Sequence, residues 1–281
     1  MNIHKIKSFA KINLALNVIG KIKNLHKIES IFSFINLYDL ILIKKISSPK
    51  HKIFFCGKFS SNIKKVNTVT KLLDILDKKK LLKNNKFYIK IKKNIPQKSG
   101  LGGGSMNAAN ILNFLHKRKF INVSQKQIIK ISKLVGSDVN LGLESTSGII
   151  NSKGIIKRFD NSPKFFILLT KPVFGCSTKK IYSKVKKFTK SKYNSPKKSM
   201  FSQKYLKSQK NDLEKIAFFS YFKLQKIKNF LMNSSNPLFV RMTGSGSVIV
   251  AYYLSNLDSV IAKARFKRKF KNYWCITSKT I

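Results

Sequence analysis

The chain of 281 residues carries 58 Lys and Arg against 10 Asp and Glu, a formal net charge of +48, and 43% of it is apolar. That apolar share is enough for one or two packed cores and excludes a wholly disordered chain, although the charge raises self-repulsion. No apolar run approaches the roughly 18–20 residues that span a bilayer, so the chain reads as soluble or peripheral, with no membrane partner. Cys56, Cys176 and Cys275 are odd in number, far apart and without histidines at ligand spacing. They exclude a disulfide framework and a zinc module and fit a reducing cytoplasm.

In chain order, Lys5 and Lys7 before the stretch 12–19 imitate a secretory signal, but two asparagines interrupt the stretch and no small-x-small site follows. The segment from Phe9 to Ile19 alternates instead, with Ile12, Leu14, Leu16 and Val18 on one face and Lys11, Asn13 and Asn17 on the other. This predicts a half-buried strand with a polar open face, on which a lysine is ordinarily just solvated. Asn67 is placed to cap a helix bearing Val69, Leu72, Leu73 and Leu76. Phe87, Ile89 and Ile91 alternate with Tyr88, Lys90 and Lys92, a second strand, which ends at Pro96.

The piece Ser99-Gly100-Leu101-Gly102-Gly103-Gly104-Ser105 then runs into a helix with Ala108, Ile111, Leu112 and Leu115 on one face. Three consecutive glycines let backbone approach a ligand closely, and the following helix turns unpaired N–H groups and its positive dipole end toward them. No Gly-Lys-Ser/Thr ends the loop, so it is not a Walker A motif, and it lacks the third glycine of a dinucleotide fingerprint. A flexible turn before a helix is the plain alternative. A third helix starts at Ser124 with Gln127 completing a capping box, carries Ile128, Ile131 and Val135, and stops at Gly136.

Asp138 follows directly. Among so few acids it is the one between a helix-stopping glycine and an apolar stretch, where burial and nearby cations would position a carboxylate; capping of a following helix is the plain reading of its place. Residues 146–156 read as turns and a hairpin, Phe165 to Leu169 as the start of a second unit near residue 160, and the stretch Lys184 to Lys210 as a solvated loop or frayed helix. A second glycine-rich piece, Thr243-Gly244-Ser245-Gly246-Ser247, leads into a strand from Val248 to Tyr253, and Val260, Ile261 and Ala264 suggest a last helix. Strands and helices without regular βαβ alternation predict an α+β fold in two subdomains.

In order, Ala10-Lys11-Ile12-Asn13-Leu14, then Pro96 with Gly100 to Ser105 and Asn107-Ala108-Ala109, then Gly136-Ser137-Asp138-Val139, then Arg241 to Gly246 resemble the motifs of the GHMP small-molecule kinases. The resemblance implies a two-domain α+β fold, with an N-terminal mixed-sheet nucleotide domain over residues 1–158 and a C-terminal ferredoxin-like α/β sandwich over 159–281. It implies a cytoplasmic kinase, monomer or homodimer, using ATP and Mg²⁺ on a diphosphocytidyl sugar alcohol. The loop Pro96, Gln97, Lys98, Ser99, Gly100, Leu101, Gly102, Gly103, Gly104, Ser105 and Met106 would wrap the ATP phosphates, with Asn67 and Thr68 near the adenine. Asp138 would orient or deprotonate the attacking hydroxyl, with Lys11 beside it. Asn13 and His26 would contact the substrate, Tyr182 would stack on its base, and Gly244 and Ser245 would close the far side of the site. No Mg²⁺ ligands are implied. The chain departs from the family at Leu25, where a second stacking aromatic is usual, at Lys98 and Ser99 for glycines, at Met106 for a serine and at Asn140 for a proline.

The lysines are spread along the chain with Ile, Asn, Ser and Phe, which fits compositional drift of surface acids better than a nucleic-acid module; no specific nucleic acid is expected. A basic RNA-binding protein on a kinase-like fold is the alternative from another class, and a kinase for another small alcohol the alternative within the fold.

Overall fold

The computed structural model describes residues 2–23, 25–160 and 162–281. Two long strands lead the chain, β1 (His4–Ile22) and β2 (Leu25–Ile46), and they pair with each other. The chain divides into two units. One comprises residues up to Ala10, Leu37–Gln97 and Gly102–Ser145; the other comprises Lys11–Asn36, Lys98–Leu101 and Thr146–Ile281. The units are therefore interleaved along the chain, and β1 and β2 each begin in one and finish in the other.

In the first unit β2 pairs antiparallel with β4 (Lys86–Lys92), and β4 pairs parallel with β3 (Lys52–Cys56), which makes the expected mixed sheet. The alternation in β4 sets its register: Ile89 faces Ile43, Ile91 faces Ile41, and Phe87, Ile89 and Ile91 are buried while Lys90 and Lys92 point outward. Helices α1 (Thr68–Lys78), α2 (Gly103–Lys117) and α3 (Gln125–Val135) supply the other side of the core. Each buries the predicted face: Val69, Leu72, Leu73 and Leu76 on α1, Ala108, Ile111, Leu112 and Leu115 on α2, and Ile128, Ile131 and Val135 on α3. Asn67 and Ser124 form complete capping boxes with Thr70 and Gln127, satisfying N–H groups that the helices leave open.

In the second unit the first half of β2 pairs with β5 (Gly148–Ile150), which forms the expected hairpin with β6 (Ile156–Arg158). The chain continues through β7 (Phe166–Lys171), α4 (Thr178–Ser183), α5 (Gln203–Ser208), α6 (Leu213–Ser220), α7 (Phe222–Ser234), β8 (Phe239–Met242), β9 (Ile249–Tyr253), α8 (Asn256–Lys269) and β10 (Trp274–Lys279). The sheet is antiparallel in the order β10-β7-β9-β8. That order, with helices after β7 and after β9, is the ferredoxin-like arrangement. Among the described residues no helix is long and apolar enough to cross a membrane.

Three expectations change. The polar face of β1 is not open: Lys11, Asn13 and Asn17 are buried as fully as their apolar neighbours, so the strand is covered on both sides. On α8 the buried residues are Ser259, Ala262 and Phe266, while Val260 and Ile261 are exposed at 45% and 40%. Small side chains and one aromatic face the sheet, so the apolar pair named from the sequence was the wrong face. The lysine-rich stretch 184–210 is largely the exposed loop and short helix expected, but it is anchored rather than free. Tyr193, Phe201 and Leu206 within it are buried, and Glu29 accepts the Ser191 hydroxyl at 2.8 Å and the Lys192 and Tyr193 N–H groups at 2.7 and 3.2 Å.

The α8 assignment is checked by chemical denaturation: Phe266→Ala is expected to cost about 3–5 kcal/mol, and Val260→Ala to stay within about 0.5 kcal/mol.

Candidate active site

The first unit holds the two ends of the glycine loop. Pro96 is buried, and Gln97 donates its amide to the carbonyls of Phe59 and Ser61 at 2.9 and 2.7 Å. Gly102 takes φ +70, a left-handed conformation open to glycine, and serves as the N-cap of α2 without any side-chain cap. The N–H groups of the first turn of α2, from Gly103, Gly104 and Ser105, thus meet no capping side chain from the N-cap residue, which suits an anion cradle. Thr68 donates its hydroxyl to the Gly104 carbonyl at 2.7 Å, which ties the start of α1, where Asn67 is the cap, to the start of α2. Met106 contributes no polar group: its side chain is fully buried, close to Gly142, and its N–H closes on the Gly102 carbonyl at 2.9 Å.

Asp138 lies in the turn between α3 and the 3-10 turn Asn140–Leu143 and is only half-buried. The turn begins one position later, after Val139, and the Asp138 carbonyl accepts the Leu141 N–H at 3.2 Å. Burial selects other acids, Glu29 and Asp39, both of them fully buried.

The second unit holds the apex of the loop and the residues around Lys11. Lys11 is 3% exposed; its Nζ donates to Asn13 Oδ1 at 2.6 Å and its N–H to the Leu101 carbonyl at 3.1 Å. Asn13 donates Nδ2 to Ser30 Oγ at 2.8 Å and its N–H to Thr243 Oγ1 at 2.9 Å. The two glycine-rich pieces are direct neighbours. Ser247 N–H donates to the Lys98 carbonyl at 3.3 Å, Val248 N–H to the Ser99 carbonyl at 3.1 Å, and Thr243 Oγ1 to the Gly100 carbonyl at 3.3 Å. Gly100 sits at φ +78, and a Cβ there would overlap the Thr243 carbonyl, so glycine is required for both reasons. Lys98 adopts φ +48 without being glycine, a conformation costing about 1–3 kcal/mol.

A Cβ on Gly244 would lie 3.2 Å from the Cα and carbonyl oxygen of Gly100, a tight contact, and Ser245 Oγ lies 2.8 Å from Thr178 Oγ1 at the start of α4. That helix carries Tyr182, whose ring centroid is 5.1 Å from that of His26. Partial burial and then the charge of Lys21 hold the His26 imidazole below its ordinary pKa. Phe188, exposed at 49%, lies 6.4 Å from His26 on the same cluster. Sequence reasoning missed it because it sits in a lysine-rich stretch with no periodicity. Leu25 is 77% exposed.

The family description "GHMP kinases N terminal domain" matches residues 67–152, which take in the loop and Asp138. Over all 281 residues, and the whole of the relative, the chain is 56% identical to the 4-diphosphocytidyl-2-C-methyl-D-erythritol kinase of Pelagibacter ubique (strain HTCC1062). The chain belongs to the 4-diphosphocytidyl-2-C-methyl-D-erythritol kinase family. It is therefore an ATP-dependent small-molecule kinase. A second relative of that name, from Clostridioides difficile (strain 630), is 30% identical, with 99% of this chain and 96% of the relative covered. In fold, the chain is similar to a crystal structure of 4-(cytidine 5'-diphospho)-2C-methyl-D-erythritol kinase, with a TM-score of 0.76 at 22% identity over 98% of this chain and 99% of that one. It is also similar to homoserine kinase from Cytophaga hutchinsonii, with a TM-score of 0.67 at 13% identity over 100% and 97%. The fold is thus shared with kinases of different names, while the sequence singles out the diphosphocytidyl-methylerythritol kinases.

Two measurements check the geometry. Gly100→Ala is expected to cost about 3 kcal/mol or more. Gly154→Ala, at φ +72 with nothing within 4 Å of the added carbon, should cost only about 1–2 kcal/mol for its left-handed backbone. Burial pushes the Cys176 thiol up to about 11, with Lys171 opposing. At pH 8 it is therefore protonated, and iodoacetamide is expected to label it slowly in the native protein, faster as pH approaches 11, and far behind the half-buried Cys56.

Proposed function

We propose that this kinase transfers the γ-phosphoryl group of ATP to the 2-hydroxyl of 4-diphosphocytidyl-2-C-methyl-D-erythritol, in the non-mevalonate route to isoprenoids. The observation that carries the reading is the 56% identity, end to end, with a relative of that name. The division of labour at the site follows from what phosphoryl transfer asks of a protein, which is positioning and charge stabilisation more than covalent chemistry.

The N–H groups of Gly102 to Ser105 would hold the phosphates, the loop Pro96 to Met106 would wrap them, and Asn67 and Thr68 would border the adenine. Lys11, kept in place by Asn13, would neutralise charge growing on the transferring group. Asp138 would accept the proton of the attacking hydroxyl; its half-exposed turn leaves the carboxylate reachable by a substrate. Tyr182 would stack on the cytosine with His26 at its edge, while Asn13, Gly244 and Ser245 would bound the rest of the substrate. An imidazole held below its ordinary pKa stays neutral at pH 7, which suits hydrogen bonding to a base.

Among the described residues no three His, Cys, Asp or Glu side chains gather to hold a metal ion. This suits Mg²⁺ arriving on the nucleotide, held mainly by phosphate oxygens and water, where it would supply further charge neutralisation. The two kinase halves would divide at 158/159, the enzyme would work in the cytoplasm as a monomer or homodimer, and the +48 charge would serve no specific nucleic acid.

ADP release with Mg-ATP tests this across a panel of diphosphocytidyl-methylerythritol, mevalonate, homoserine and galactose. Turnover on the first compound alone is expected. Asp138→Asn and Lys11→Ala should each lower kcat by at least about a hundredfold in a protein that stays folded, the latter with some loss of melting temperature because Lys11 is buried. Activity on another alcohol would overturn the substrate, and wild-type rates in both variants would overturn the assigned roles. Tight, steeply salt-dependent RNA binding without ADP release would favour a nucleic-acid protein.

A further inference from the structure

Four donors converge on the carboxylate of Asp39, which is fully buried in the first unit. Its Oδ1 accepts the backbone N–H groups of Asn94 and Ile95 at 2.8 and 2.9 Å. Its Oδ2 accepts Asn107 Nδ2 at 3.0 Å and pairs with Lys93 Nζ. Lys93 and Asn107 are themselves only 4% and 1% exposed. These donors come from the two flanks of one loop. Residues 93–95 carry the chain out of β4 into Pro96, and Asn107 stands in α2 directly after Met106. Lys93 Nζ also lies 3.4 Å from where a Cβ of Gly103 would sit.

We propose that Asp39, with Lys93 and Asn107, is a latch that sets the separation of the two ends of the glycine loop, and so positions the phosphates of ATP. The proposal rests on the reading of this loop as the phosphate cradle. Glycines give the loop its close approach but no side chains with which to pack itself into place. Phosphate held by backbone N–H groups needs those groups within a fraction of an ångström of their working positions. Directional bonds to one fixed carboxylate supply that precision. Apolar packing would stabilise the unit at least as well as a buried ion pair, without fixing the two ends against each other. Asp39, Lys93 and Asn107 are positioning residues and need not touch the nucleotide.

The test is steady-state kinetics on the full-length enzyme with diphosphocytidyl-methylerythritol. Asn107→Ala removes the tether on α2 alone. The double variant Asp39→Asn/Lys93→Met removes both charges together and leaves no buried ion unpaired. Each is expected to raise KM for ATP about tenfold, with KM for the acceptor alcohol unchanged within about twofold. Hydrogen exchange of the amides of Gly102 to Ser105 in the folded, nucleotide-free protein should quicken about tenfold, while α1 keeps its protection. Ser105→Glu, which sets a carboxylate in the cradle, reports on the loop itself and should abolish ATP saturation. A lowered melting temperature with wild-type KM for ATP in the two latch variants, while Ser105→Glu fails, would overturn the latch and keep the cradle. Wild-type KM for ATP in Ser105→Glu as well would overturn the cradle and the latch with it.

Discussion

The meeting of two turns at bare backbone governs the second unit. Gly100 and Thr243 approach so closely that no Cβ fits between them, and the carbonyls of Lys98, Ser99 and Gly100 are all taken by donors from Thr243, Ser247 and Val248. Thr243 also receives the N–H of Asn13, which in turn receives Lys11. A buried lysine, a strand and both glycine-rich pieces are thus referred to a single threonine. The backbone contacts among these, Ser247 to Lys98, Val248 to Ser99 and Gly100 against Thr243, leave no rotamer to relax, and rigidity is what a phosphoryl-transfer site requires.

Four of the ten acids in this very basic chain, Glu29, Asp39, Asp212 and Glu214, stand where distant segments are joined. Glu29 holds the lysine-rich stretch through Ser191, Lys192 and Tyr193. Asp212 receives the Val18 N–H at 2.9 Å and the Thr189 hydroxyl at 2.7 Å. Glu214 receives the Met242 N–H at 3.0 Å and pairs with Lys228. A carboxylate accepts several donors at once and is stronger for its charge, so it joins chain segments in a way no lysine can. Acids replaceable by Lys or Asn on the surface have no such duty.

The helices of the first unit were legible because each satisfies a local rule. Asn67 and Ser124 announce starts, Gly136 announces a stop, and the apolar spacing names the buried face. The glycine loop was legible for the same reason, since three adjacent glycines have a cost that only an unusual backbone explains. Periodicity failed where burial is two-sided or where the partner surface accepts small residues. Lys11 reads as a solvated strand lysine and is buried; Val260 and Ile261 read as a core face and are exposed. The strand β2, continuous from Leu25 to Ile46, was not predicted, and its two halves belong to different units.

The amino-acid sequence by itself determined the family and the loop, and through the resemblance named the lysine and aspartate expected to do the chemistry, because motifs that recur in a fixed order along the chain are legible without the fold. Tertiary structure alone decided what holds them. That Asp39 binds residues on both sides of the loop, that Thr243 receives the Asn13 N–H, and that Thr243 meets Gly100 are relations between residues dozens to hundreds of positions apart. A hydrogen bond depends on where two atoms lie in space, and no pattern of local spacing encodes that.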